Sequence, residues 1–334
     1  MYFKIIFLSI VILLPPSLVQ AKIGEALAGK CLQGNCLNGR GMLLMPDGSR
    51  YIGRFVEGIP NGSGAFIEKS GVTIEGTFLH GVDMGHGVKI WPDGSRYKGQ
   101  FYDGLANGQG EKRLANGSHF QGLWRNGVFY RGKGLSIAAS GRRYEGYYKH
   151  ASFNGEGLLK EANGSEYEGS FKDGKFDGKG KLTLADGTVY IGEFKNNLYN
   201  GKGKLAWADG STFEGMFKDG EYSGYGILTR LDGSQYTGQF KNGEMSGQGV
   251  MTFVDGREYR GTFRHDKFKG HGVMTDKDGN RLEGDFSNNL YVEFSDHKDP
   301  IQEPHTVFTI GHGEKGPKAA AKHDNSGPPK EKKD

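Results

Sequence analysis

Cys31 and Cys36 are the only cysteines of the 334-residue chain, and they bracket the turn-prone segment Leu32-Gln33-Gly34-Asn35. An even pair at this spacing reads as a disulfide in an oxidising compartment, where it would close the N-terminal edge of the fold that follows. Two cysteines alone cannot complete a tetrahedral zinc site. His80/His86 and His265/His271 recur at the same spacing and would make two-histidine sites if they met across a turn. No carboxylate at a fixed offset accompanies both pairs, so they read as solvated surface residues and no metal is expected. Asp276-Lys277-Asp278-Gly279-Asn280 opens like a calcium loop, but its glycine comes two places early and Ser287 stands where the closing glutamate belongs. Asn61-Gly62-Ser63, Asn116-Gly117-Ser118 and Asn163-Gly164-Ser165 match glycosylation acceptors, a pattern that Asn-Gly turns also produce. Gly-x-Gly is frequent, yet it sits in strand-like segments with no helix after it, so it does not read as a phosphate cradle. No nucleophile-and-base arrangement stands out. The sequence predicts no enzyme, no catalytic residue and no cofactor.

What does recur is a ring–glycine–ring triplet. It appears as Tyr51-Gly53-Phe55, Tyr97-Gly99-Phe101, Phe120-Gly122-Trp124, Tyr144-Gly146-Tyr148, Tyr167-Gly169-Phe171 and Tyr190-Gly192-Phe194. Phe213-Gly215-Phe217, Tyr236-Gly238-Phe240 and Tyr259-Gly261-Phe263 continue it, and Ile74-Gly76-Phe78 and Leu282-Gly284-Phe286 are degenerate members. These eleven anchors lie 23 residues apart, except for one step of 24 between Phe120 and Tyr144. Eleven residues after most anchors comes Gly-x-Gly, as in Gly178/Gly180, and nineteen after comes Asp-Gly or a relative, as in Asp186-Gly187. A second turn signal, as in Asp173-Gly174, follows the anchor strand. Asp-Gly and Asn-Gly between aromatic runs are strong hairpin signals, so each unit reads strand, turn, strand, turn.

Strand alternation puts the two rings and the glycine of a triplet on one side, with Glu168, Ser170 and Lys172 on the other. The expected fold is all-β: an elongated, twisted single antiparallel sheet of tandem β-hairpin repeats, with one aromatic face and one wet face. Glycine beside rings leaves room for a neighbouring strand's ring to lie across the backbone. Composition agrees. Gly contributes 58 residues, Pro only 10, and aromatics reach 12%, which suits repeated tight turns better than a disordered linker.

The stretch Tyr167 to Gly180, Tyr-Glu-Gly-Ser-Phe-Lys-Asp-Gly-Lys-Phe-Asp-Gly-Lys-Gly, resembles a membrane occupation and recognition nexus (MORN) repeat, and the resemblance runs over residues 39–286. It implies a β-hairpin array used for scaffolding, self-association or contact with phospholipid headgroups. Some relatives carry such repeats on a lipid kinase or another enzyme; here the repeats consume the chain.

The expected organisation is a signal peptide over 1–21, a cap over 22–38 with the Cys31–Cys36 bridge, the array over 39–294 and a disordered tail over 295–334. Lys4, the apolar run Ile5–Leu14 and Val19-Gln20-Ala21 carry the export signal, and a periplasmic or secreted location follows. Irregular spacing near residues 127–152 reads as a tolerated loop insertion, with a bulge or bend as the alternative. Lys and Arg total 43 against 39 for Asp and Glu, net +4, without a basic stripe, so no nucleic-acid partner is expected. The leading functional reading is an exported scaffold that binds a protein partner, or itself, through an aromatic-lined face. The rings expected on that face are Tyr51, Phe55, Tyr97, Phe101, Tyr144, Tyr148, Tyr167, Phe171, Tyr190, Phe194, Phe213, Phe217, Tyr236, Phe240, Tyr259 and Phe263. Binding to a membrane surface, or to carbohydrate or cell wall by ring stacking, are the alternatives.

Overall fold

Turn chemistry sets the strand boundaries. In Lys172-Asp173-Gly174-Lys175 both central residues have positive φ, 49° at Asp173 and 80° at Gly174, a left-handed pair that few residues other than Asp, Asn and Gly accept easily. This turn joins β13 (Glu166–Lys172) to β14 (Lys175–Thr183). The far end of β14 turns differently. Leu184 N–H donates to Thr188 O (2.8 Å), Gly187 N–H donates to Leu184 O (3.0 Å), and within this loop only Gly187 has positive φ, at 92°. The Asp-Gly found nineteen residues after each anchor is therefore not a two-residue turn with two left-handed residues, as its type suggested. Asp186 instead uses its side chain, whose Oδ1 accepts the Thr188 N–H at 2.8 Å.

A computed structural model describes residues 29–292; the expected signal peptide, residues 22–28 of the cap and the tail lie outside the described residues. No described residue is helical. The chain divides into two compact units, one up to Ser136 and one from Ile137. In the first, β1 (Lys30–Gly34) to β10 (Val128–Ile137) each pair antiparallel with their chain neighbours. In the second, β11 (Arg143–Lys149) to β24 (Leu290–Val292) do the same. The fold is an all-β array of antiparallel hairpins. The last strand expected after Asn289 forms at Leu290–Val292, and the Cys31–Cys36 disulfide, whose Cα atoms lie 5.9 Å apart, ties β1 to the loop that follows it.

Each hairpin is built around a glycine pair. Gly169 of β13 stands opposite Gly180 of β14, and the next partners are Phe171 and Phe176, so the ladder breaks at Ser170. The Tyr167 ring fills the space that two missing side chains leave: a Cβ on Gly180 would lie 2.5 Å from its hydroxyl oxygen and 2.6 Å from its Cε2 and Cζ. The hydroxyl then donates to Ser170 O at 2.9 Å, inside the bulge. Tyr97, Tyr144, Tyr190 and Tyr236 repeat the bond at 2.9–3.0 Å. A tyrosine thus supplies bulk over the glycines and a donor for the interrupted ladder, which explains why the anchor is usually Tyr. The covering ring belongs to the same strand as the first glycine. It crosses to the neighbouring strand only for the second.

The 24-residue unit departs from this pattern in register. Gly122 of β9 (His119–Arg125) pairs with Gly132, the first glycine of its Gly-x-Gly, where Gly169 pairs with the second, and the bulge falls at Tyr130 between Phe129 and Arg131. Gly122 and Gly132 are approached by backbone, that of Arg131–Gly132 and of Gln121–Gly122, and Phe120 is half-buried. Of the two readings for residues 127–152, the structure shows a bulge, as it does in the other hairpins, here at Tyr130. In the next hairpin Ala151 takes the place of the turn glycine at φ 58° beside His150 at 51°. A Cβ in that region costs about 1 kcal/mol. Ala151→Gly should raise stability by about 1 kcal/mol in urea unfolding; no gain would mean that the turn is not strained.

Candidate interaction surface

The sixteen rings expected on a contact face are core. Their exposure runs from 0% at Tyr51, Tyr190, Phe213 and Tyr259 to 5% at Phe101. The same holds for Phe55, Tyr97, Tyr144, Tyr148, Tyr167, Phe171, Phe194, Phe217, Tyr236, Phe240 and Phe263. The physical reason is ring-on-ring closure between successive units. Tyr167 packs edge-on against Phe171 (5.0 Å between centroids) of its own strand and against Phe194 (5.1 Å) of the next unit. Edge-to-face pairs of this kind add roughly 0.5–1.5 kcal/mol each beyond the burial itself.

A third ring completes the enclosure, and the sequence reading missed it. Phe176 stacks on Tyr167 at 3.7 Å, and Phe153, Tyr199, Tyr222 and Phe268 stack on Tyr144, Tyr190, Phe213 and Tyr259 at 3.7–4.0 Å. All sit nine residues after their anchors. In the first unit the same slot holds Pro60, Asp83 and Ala106, with a ring only at Phe129, so its core is thinner at those three positions.

Burial shows in the tyrosine hydroxyls. It pushes Tyr51, Tyr97, Tyr199 and Tyr259 up from 10.0 to about 12, with loss of hydration as the largest cause. Burial likewise raises Tyr144, Tyr167, Tyr190, Tyr222 and Tyr236. Because the folded groups hold their protons more tightly than the unfolded chain does, this stabilisation is complete below pH 10 and is lost as pH rises towards 12. Tyrosinate absorbance should therefore rise together with loss of β-sheet circular dichroism. Ionisation of the anchor tyrosines near pH 10 in a still-folded chain would contradict their burial.

The remaining candidates take structural or solvated places. His80 and His86 are exposed, His265 Nδ1 lies 2.8 Å from Glu244 Oε2, and His271 lies 3.4 Å from Glu283 and 3.9 Å from Asp285. Among the described residues no three metal-ligating side chains converge. Asp276 folds its carboxylate onto its own turn, accepting from Asp278 N–H and Asn280 N–H at 2.9 and 2.8 Å. The Asn280 side-chain amide, with those two bonds, holds it below the usual carboxylate range. The serines of two Asn-Gly-Ser stretches are buried, Ser118 at 2% and Ser165 at 3%. Ser165 Oγ accepts the Ala185 N–H (3.1 Å) of the following unit, as Ser95 Oγ accepts that of Ala115 (3.1 Å), so this hydroxyl clips one turn to the next.

With the rings inside, the solvent meets the other face of the strands. It carries mixed charge and several apolar side chains that remain in water: Tyr147 at 45% exposure, Ile191 at 55%, Tyr225 at 65% and Ile227 at 42%. Tyr225 Oη accepts a bond from Gln239 Nε2 at 2.9 Å.

The MORN repeat family model matches at residues 51–69, 75–96, 97–119, 167–189, 190–212, 213–235, 236–256 and 259–281, more than half of the chain. The chain is a MORN-repeat protein. The model passes over the MORN-like units that begin at Phe120 and Tyr144, which hold the slipped register and Ala151. Repeats of this family form scaffolds, often contacting proteins or membranes, and are generally non-catalytic. No curated protein matches this MORN chain. Among solved structures it is similar to the TCP domain of Drosophila melanogaster SAS-4, solved with a proline-rich motif, at 12% identity over 54% of this chain and 87% of that one, with a TM-score of 0.27. Virginiamycin B lyase from Staphylococcus aureus aligns at 11% identity over 77% and 87% of the two chains, with a TM-score of 0.15. At such scores neither likeness carries an argument about the MORN array.

Proposed function

We propose that this MORN array is an exported scaffold that holds a protein partner, or a second copy of itself, on the outer face of its sheets. One observation carries the reading: the ring face is consumed by the core, while Tyr147, Ile191, Tyr225 and Ile227 stay 42–65% exposed on the opposite face. Apolar side chains left in water among polar neighbours are typical of contact surfaces. Export is supported by the basic-then-apolar start of the chain and by the Cys31–Cys36 bridge, which suits an oxidising compartment. Carbohydrate binding by stacking on the anchor rings loses its support, because those rings are at most 5% exposed. The membrane reading keeps the family association, but net charge near balance does not favour it.

The test is capture of a partner from the native compartment by wild type and by the Ile191→Ser/Tyr225→Ser/Ile227→Ser variant, alongside sedimentation of the purified chain. Capture, or self-association, that the triple variant loses supports the reading. A monomer that captures nothing, or co-sediments with anionic vesicles in a salt-sensitive way, overturns it.

A further inference from the structure

At the strand centres, charge on the outer face of the second unit changes from acidic to basic along the sheet, while Arg143, Lys149, Lys160 and Lys172 stand at the ends of the same strands. Glu145, Glu156 and Glu168 face out of β11, β12 (Ser152–Lys160) and β13. The next strands reverse the sign. Lys179 and Lys181 face out of β14, and Lys202 and Lys204 face out of β16 (Leu198–Ala206). Between them β15 (Val189–Lys195) presents Ile191 and Glu193.

Register fixes how these side chains meet. Ile191 stands opposite Lys181 on one side and opposite Lys204 on the other, while Lys179 stands opposite Glu193. On the far side Lys202 stands opposite Met216, which is 38% exposed. Strands lie about 4.8 Å apart, so Lys181 and Lys204 flank an exposed isoleucine with roughly 10 Å between their backbones. Of the four lysines only Lys204 makes an ion pair among the described residues, to Glu214 at 3.6 Å, and both partners are more than half exposed. A pair so exposed contributes little. Three ammonium groups around an apolar centre are thus left for a ligand.

Resting on the protein-scaffold reading above, we infer that the outer face of β14–β16 is a docking site for an extended acidic segment of a partner protein. Its carboxylates would meet Lys181 and Lys204, with an apolar side chain between them on Ile191. Acidic residues four apart along an extended chain share a face with the residue midway between them and lie about 13 Å from one another, so two carboxylates can straddle an apolar side chain and reach the two lysine rows. A protein segment suits the site better than a bilayer or an anionic glycan. Glu168, Glu193 and Glu214 interrupt the patch and repel a continuous anionic surface, and only a ligand with apolar side chains gains from covering Ile191 and Met216.

The test uses the full chain and a fluorescein-labelled extended peptide of Glu-Ser-Leu-Ser repeats, in which Glu and Leu alternate along one face. Controls are the same peptide with Lys for Glu and vesicles containing phosphatidylglycerol. Binding by anisotropy should weaken at least tenfold in Lys179→Gln/Lys181→Gln/Lys202→Gln/Lys204→Gln and severalfold in Ile191→Gln, and it should fall with salt. All five positions are exposed, and unchanged thermal melting will confirm the fold of both variants. Equal binding by the quadruple variant, equal binding of the Lys peptide, or lysine-dependent vesicle binding in place of the peptide overturns the inference. Partner capture separates it from the reading beneath: a partner retained equally by the quadruple variant leaves the scaffold standing and removes this site, whereas capture by neither form removes both.

Discussion

Gly180→Val should destabilise the chain by about 3–5 kcal/mol, the scale of a disrupted aromatic core site. The first atom of the new side chain would already lie 2.5–2.6 Å from Tyr167, which is 1% exposed and has nowhere to move without losing its bond to Ser170 O. Expelling that ring forfeits its burial and its contacts with Phe171, Phe176 and Phe194 together. Urea unfolding measures the loss, and Lys179→Ala on the opposite face of the same strand should stay within about 0.5 kcal/mol. A double-mutant cycle of Gly180→Ala with Tyr167→Ala should show coupling of about 1–3 kcal/mol, since the clash vanishes with the ring. Additive effects would mean that ring and glycine are not in contact.

Phe176→Ala should cost a similar 3–5 kcal/mol. Phe176 is 1% exposed, stacks on Tyr167 at 3.7 Å and meets Phe171 and Phe194 edge-on at 5.5 and 5.7 Å, so its removal opens one cell of the core on three sides. Since each hairpin touches mainly its neighbours, the loss should be local. Hydrogen exchange should quicken in β13 to β15 before strands of the other unit respond. The first unit already lives with Ala106 in the corresponding slot, so a variant as stable as wild type would mean that the slot tolerates a void everywhere.

Much of this architecture was legible because the repeat constrains the residues that make turns and glycine pairs. Tyr167, Gly169, Phe171 and the turn at Asp173-Gly174 recur nearly unchanged, and they located strands and register. The Phe176 slot escaped notice because its chemistry is variable: Phe153, Tyr199, Met245 and Phe268 fill it in one unit, but Pro60, Asp83, Ala106 and Phe129 in the other. Alternation also says which face the rings share without saying whether that face closes. Closure comes from contacts across units, such as Tyr167 with Phe194, and these depend on the bulge at Ser170 that no spacing announced. For the same reason the expected contact face turned out to be interior. The serine clip at Ser165 was hidden inside a glycosylation-like triplet. The lysine face was masked by a balanced total, 43 basic against 39 acidic residues, because segregation appears only once Ile191 is seen between Lys181 and Lys204.

Nitration of the native chain, followed by peptide mass mapping, tests the central assignment most directly. Tyr102, Tyr147 and Tyr225, at 45–65% exposure, should be modified, while Tyr167, Tyr190, Tyr236 and Tyr259, at 0–1%, stay intact until the chain is unfolded. Anchor tyrosines that react as fast as Tyr225 in the folded protein would show an open aromatic face and contradict the account.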